Sequence, residues 1–169
     1  MEDTYSASPR EEKIVTSQCK IDLHIHSIAS FSVDGDIVKN NTEQNLSKIL
    51  LPALNKESIN LAAITDHNTF SYSMYCAFKK LENKGSLKKV LPGIEFDLDF
   101  LGKDIHAIFV FDDSNELLVS QIESKVNKSE KDSKSHNCLS RGAISALVDS
   151  IGINFVVIVH QKTSIENSD

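Results

Sequence analysis

The chain has no tryptophan, only two arginines (Arg10 and Arg141), three cysteines and no long apolar run. A membrane span needs about 18–20 consecutive apolar residues, and none is present. The polar opening MEDTYSASPREEK has no apolar segment of the kind a secretory signal carries. The expected location is therefore the cytoplasm. Cys19, Cys76 and Cys138 are an odd number without CxxC spacing, so they read as reduced thiols and not as a disulfide framework. A net charge of −6 with so little arginine makes the chain a poor candidate for gripping nucleic acid by neutralising phosphates. The lack of tryptophan argues against an aromatic stacking platform. Any phosphate handled here is better held by a bound cation, which inverts the local charge logic.

What is present is ordinary globular composition, with 40% hydrophobic residues in 169, enough for one domain with a real core. Residues 1–19 read as a flexible polar tail and 20–169 as the folded domain. Short β-rich runs then alternate with stretches of helical spacing. Lys20–Ser27 (KIDLHIHS) is the first strand. Leu46, Ile49, Leu50, Ala53 and Leu54 share one helix face, with Thr42 as the candidate N-cap. Pro52 is expected to kink that helix or to start a second segment. Leu61–Asn68 is the second strand, followed by a helix across roughly 71–83. VLPGIEFDLDF and DIHAIFVFD form a hairpin through a tight turn at Gly102 and Lys103. Asp113 with Glu116 resembles a capping box opening a helix to about Val126. A polar stretch leads to a helix from Arg141 to Ser150, stopped by Gly152, and INFVVIVHQ is the fifth strand. The order predicts an α/β architecture, mostly parallel apart from that hairpin, with VVIV and AIFVF buried on both faces. An open sheet and a partial barrel fit this pattern equally.

The histidines carry the functional signal. Five of the six (His24, His26, His67, His106 and His160) fall in or at the end of a strand, and only His136 lies in the polar linker. Strand carboxyl ends are where α/β proteins collect ligands and catalytic groups. His24 and His26, two apart, point to one face, which suits chelation of one ion, while Leu23 and Ile25 point to the other. Asp22 shares the histidine face and is placed to orient an imidazole. Asp34 sits in a DG loop whose bland reading is turn chemistry. Asp66 is placed to partner His67 or to cap the next helix. Glu95 lies in an apolar strand, where an unpaired carboxylate is costly and a metal would offset it. Its alternative is an outward-facing edge, as Asp97 and Asp99 at alternate positions suggest. Lys125, Lys128, Lys131 and Lys134 recur every three residues; a phosphate-binding lid is the sharp reading and a solvated face the favoured one. Arg141 is the better candidate phosphate anchor, because its fork fits the group.

The succession DLHIHS, DG loop, ITDHN, PGIE, IH and a strand ending in VH resembles the PHP (polymerase and histidinol phosphatase) family, over about Lys20 to Gln161. The resemblance implies a partial distorted (β/α)7 barrel, about five strands of it present, and two or three divalent metal ions, zinc, manganese or iron. It implies phosphoester hydrolysis, with a phosphorylated small molecule or a nucleic-acid end as substrate. By motif, His24, His26 and Glu95 would hold one ion. Glu95 would bridge to a second completed by His106 and His160, and Asp34 with His67 would begin a third. Such closely spaced ions activate a bridging water and absorb phosphoryl charge. Two departures stand out: His160 precedes Gln161 where the family has proline, and no late Asp-x-His follows. The expectation is therefore a fragment of a longer chain or a shortened relative. Two rival readings are an amidohydrolase-type barrel, which also opens with HxH, and a non-catalytic module that binds a partner such as an ATPase. ITDHN, PGIE and the lack of a metal-bridging lysine on the fourth strand speak against the former.

Overall fold

The structure, a computed structural model, describes residues 18–30, 41–100, 103–128 and 141–160. Strands β1 (Ile21–Ile25), β2 (Leu61–His67), β3 (Lys89–Phe100), β4 (Lys103–Phe111) and β5 (Phe155–His160) form one sheet in sequence order. Helices α1 (Glu43–Lys56), α2 (Tyr72–Lys79), α3 (Glu116–Lys128) and α4 (Arg141–Ile151) connect or follow them. The pairing is mixed, and so less parallel than expected. β1–β2 and β2–β3 are parallel, whereas β3–β4 and β4–β5 are antiparallel. The hairpin reverses β4 alone, and that single reversal makes two antiparallel seams.

Local chemistry sets the helix ends. Thr42 Oγ1 accepts from Asn45 N at 3.2 Å at the start of α1, and Ser71 Oγ does the same for Met74 N at the start of α2. The cap of α3 is Asn115, whose Oδ1 accepts from Leu118 N at 3.2 Å. Asp113 is not in a capping box; it is an ion-pair partner of Lys79 and Lys89. α1 runs through Pro52 as one element, and α2 stops at Lys79, short of 83. Gly152, at φ 67°, ends α4 with its N–H on Val148 O at 3.2 Å. Lys125 Nζ donates to the α4 carbonyl of Ser150 at 2.7 Å, so this lysine secures a helix C-terminus.

One face of the sheet carries the core. Ile64, Val90, Ile94, Phe96 and Phe109 pack against Met74 and Phe78 of α2, Ile122 of α3 and Ile151 of α4. On the opposite face a smaller cluster joins Ala63, Ile108 and Val110 to Leu23 and Leu91. Gly93 leaves no room for a side chain between β2 and β4: a Cβ there would lie 2.7 Å from Thr65 Cγ2 and 2.9 Å from Phe109 O. The run Ala107–Phe111 is buried as expected, but Val156–Val159 is not. β5 pairs only with β4 among the described residues, and its apolar side chains are exposed on both faces. Cys19 and Cys76 are free thiols, while Cys138 lies outside the described residues. No helix among the described residues is long and apolar enough to cross a membrane.

Strand β1 departs from simple alternation. Asp22 is in register with Ala62 and Ile25 with Ile64, so three steps on β1 match two on β2. The extra residue is a bulge. Its effect is to split the two aliphatics expected on one face: Ile25 enters the helix-covered core and Leu23 the smaller cluster opposite.

Candidate metal centre

Register brings the site together before any side chain is considered. At the carboxyl end of β2, His67 is paired with Glu95 in the middle of β3. β4 runs the other way, so His106, near its start, reaches the same end and is paired with Asp97. The bulge, between Asp22 and Ile25, includes His24, and His26 follows the end of β1 at the same place. The result is a row of rings, His24–His26–His67–His106, with successive centroids 4.8, 4.6 and 5.2 Å apart.

Glu95 sits at the centre, its side chain fully buried. Its Oε2 lies 3.0 Å from His24 Nε2, 3.2 Å from His26 Nε2 and 3.2 Å from His67 Nε2. Its Oε1 lies 2.6 Å from His106 Nδ1. The carboxylate thus divides its two oxygens between different imidazoles. Asp97 adds a second acid. Its Oδ1 is 3.3 Å from His106 Nε2 and 3.5 Å from His67 Nδ1. Burial works to raise the Glu95 carboxyl, but hydrogen bonds from His26 and His24 and the His67 charge outweigh it and hold the group well below the usual carboxylate range. Asp97 is also lowered, against burial, by the neighbouring His67 imidazole and by the amide of Asn68.

Neighbouring polar groups orient these side chains. Ser30 Oγ meets His26 Nδ1 at 3.2 Å and accepts from His67 N at 3.2 Å, which aims His26 Nε2 at Glu95. Asp66 accepts from both the backbone N–H and the hydroxyl of Ser27, the latter at 2.6 Å, and ties the end of β1 to β2. Its two described bonds thus go to Ser27, where the sequence suggested a partner for His67 or a cap for the next helix. Asp22 accepts from His24 N at 3.2 Å.

Of the candidate ligands, His24, His26, His67, Glu95 and His106 come together. His160 is paired with His106 in the β4–β5 register, but its side chain is not among those described. Asp34 and His136 lie outside the described residues, as does the side chain of Arg141 at the head of α4. Three contributors escape a reading by motif: Asp97, Asn68 and Ser30. Asp97 had a usable signal, because it stands two residues from Glu95 on one strand and must share its face. Asn68 and Ser30 act through loop geometry that spacing does not encode.

The donor set fits divalent cations. His24 Nε2, His26 Nε2 and Glu95 Oε2 form a triangle with edges 2.9, 3.0 and 3.2 Å. A single hydrogen can lie between the two nitrogens, and the carboxylate brings none, so a shared cation satisfies all three better than protons do. Two donors each about 2.1 Å from one ion stand about 3.0 Å apart at a right angle and about 3.4 Å at the tetrahedral angle. The second group, His67, Asp97 and His106, has donor atoms within 4.8 Å of one another. Asp97 Oδ1 is buried there without a hydrogen bond, a costly position for an anionic oxygen unless a cation shares it. Nitrogen and carboxylate ligands together suit zinc, manganese or iron.

No family model matches the chain, and no curated protein sequence matches it. Among solved structures it is similar to an amidohydrolase from Chromobacterium violaceum, at 18% identity and a TM-score of 0.41, over 66% of this chain and 33% of that one. It is also similar to a protein assigned as a metal-dependent phosphoesterase from Bifidobacterium adolescentis, at 14% identity and a TM-score of 0.42, over 80% and 51%. The chain spans one third to about half the length of these structures. Both likenesses are loose.

Proposed function

We propose that this chain forms the centre of a metal-dependent hydrolase acting on phosphoesters. The observation that carries the reading is Glu95: a fully buried carboxylate with one oxygen turned to His24, His26 and His67 and the other to His106. Oε2 thus faces three imidazole nitrogens at spacings a shared cation suits, while Oε1, at hydrogen-bond distance, orients the ring of His106. The bound ions would act as Lewis acids toward a phosphoryl oxygen and make water a better nucleophile at neutral pH. The protein's part is to fix the donors. Glu95 and Asp97 stay anionic and offset the cationic charge, while Ser30 fixes the ring of His26. The resemblance of DLHIHS and ITDHN to the PHP family favours phosphoesters over amides. The shared ligand being a glutamate and not a lysine supports the same choice.

The test is hydrolysis of p-nitrophenyl phosphate and of a single-stranded oligonucleotide by protein loaded with manganese. Chelation is expected to abolish the activity and added manganese to restore it. Glu95→Gln is expected to reduce the rate at least 100-fold. A loaded, folded protein that cleaves neither substrate would overturn the hydrolase reading and leave a metal-binding module.

A further inference from the structure

The side-chain geometry of β3 suggests more than one ion in a shared pocket. Glu95 and Asp97 are two residues apart on the same strand face; four imidazoles surround Glu95, and two of them, His67 and His106, also face Asp97. We propose that Asp97, with His67 and His106, makes a second cation site of its own, and that Asn68 is the residue that aims Asp97 into it. The proposal rests on the metal-centre reading above and divides it into two sites that can be lost separately.

Asp97 is held like a part with one free end. Asn68 Nδ2 donates to Asp97 Oδ2 at 2.7 Å, and the Asp97 backbone N–H donates to Asn68 Oδ1 at 3.0 Å. The Asn68 backbone N–H donates to Glu95 O at 2.8 Å, so the amide is docked on β3 at both acids. Asn68 is 4% exposed and adopts φ 52°, a left-handed conformation that asparagine tolerates better than most residues. With Oδ2 taken by the amide, Oδ1 is directed at the histidines. It is buried without a hydrogen bond, 3.3 Å from His106 Nε2 and 3.5 Å from His67 Nδ1. Those spacings match two ligands on one tetrahedral ion, about 3.4 Å apart. They are long for hydrogen bonds, so a cation explains them better than a proton.

The two sites differ in character. The site of His24, His26 and Glu95 lies partly open, with the His24 side chain 40% exposed. In the second the histidine side chains are 11% and 14% exposed and that of Asp97 24%, and the amide of Asn68 lies behind its acid. A ligand whose partner fixes it loses less freedom on binding, so the clamp is expected to raise affinity at the second site.

The experiment is zinc titration of the full chain by calorimetry, with cobalt(II) absorption as a spectroscopic signature of each site. Wild type is expected to bind two ions. Asp97→Asn should bind one, with the remaining affinity within about threefold of wild type and one cobalt band set missing. Asn68→Gly keeps the left-handed backbone accessible while deleting the amide. It should weaken the second ion 10- to 100-fold and shift only that site's cobalt spectrum. His26→Gln should spare the second site and weaken the first. Circular dichroism of the metal-free variants checks folding, and if Asp97→Asn fails to fold, Asn68→Gly carries the test. Two ions with unchanged affinity in both Asp97→Asn and Asn68→Gly would overturn this assignment and leave the metal centre standing. No ion bound by folded wild type would overturn both.

Discussion

His106 Nδ1 lies 2.6 Å from Glu95 Oε1, although the ladder sets His106 opposite Asp97 and Glu95 opposite Ile108. The contact is diagonal across the β3–β4 hairpin, on the face away from the helices, where side chains two positions apart still reach one another. It commits Glu95 to imidazoles of three strands.

Loss of that commitment defines the first prediction. In chelator, Glu95→Gln is expected to cost about 1–3 kcal/mol, the penalty for leaving buried polar groups poorly matched. Zinc at a hundredfold excess over its dissociation constant should add about 2.7 kcal/mol to wild type, or roughly 5–10 °C in melting temperature for a chain of this size. The variant should gain far less. Thermal melts with and without zinc decide the matter; equal shifts for both proteins would count against Glu95 as a ligand.

A second prediction concerns acid stability away from the centre. Burial tends to raise the Asp113 carboxyl, but hydrogen bonds from Lys79 and Lys89 hold it below its ordinary value of 3.8. A lowered carboxyl stabilises the fold above its unfolded value and ceases to as pH falls through the folded one. Urea unfolding from pH 7 to pH 2 should show wild type losing this contribution below about pH 4, with Asp113→Asn flatter. Both lysines are over a third exposed, so the pair is worth only about 1 kcal/mol at neutral pH.

The alkaline limb should depend on Tyr75. Burial pushes its phenol up to about 12, with Lys79 pulling the other way. A raised tyrosine stabilises below the unfolded value near 10 and loses that contribution as pH rises from 10 toward 12. Tyr75→Phe is expected to give up about 1 kcal/mol at pH 7, through the hydrogen bond that Lys79 Nζ donates at 3.0 Å. The difference between the two proteins should then narrow above pH 10. Parallel curves to pH 12 would refute the assignment.

Gly93→Ala tests the close approach of three strands. The new methyl would meet a carbonyl oxygen of β4 that cannot rotate away, at 2.9 Å, as well as Thr65 Cγ2. Overpacking of this kind costs about 1–3 kcal/mol. Because Gly93 stands two residues before Glu95, weaker zinc binding should accompany the loss. Denaturant midpoints and calorimetry on the same variant measure the two effects.

Much of this molecule was legible in one dimension, because the forces concerned are local. Thr42 capping α1, Gly152 ending α4, the placement of His24, His26 and His67 at strand ends and the need of Glu95 for a cationic partner all follow from periodicity, backbone preference and the cost of burying charge. Tertiary structure decided the rest. The bulge in β1 separates Leu23 from Ile25 and depends on a register set by residues about forty positions away. The reversal of β4 carries His106 to the histidine end and places it beside Asp97. Asp113 left its expected cap for two lysines on other elements, and VVIV, apolar enough for an interior strand, stands exposed at an edge. A side chain's own neighbours specify its propensity, whereas its partner and its cover are set by chain segments that only the folded sheet brings near.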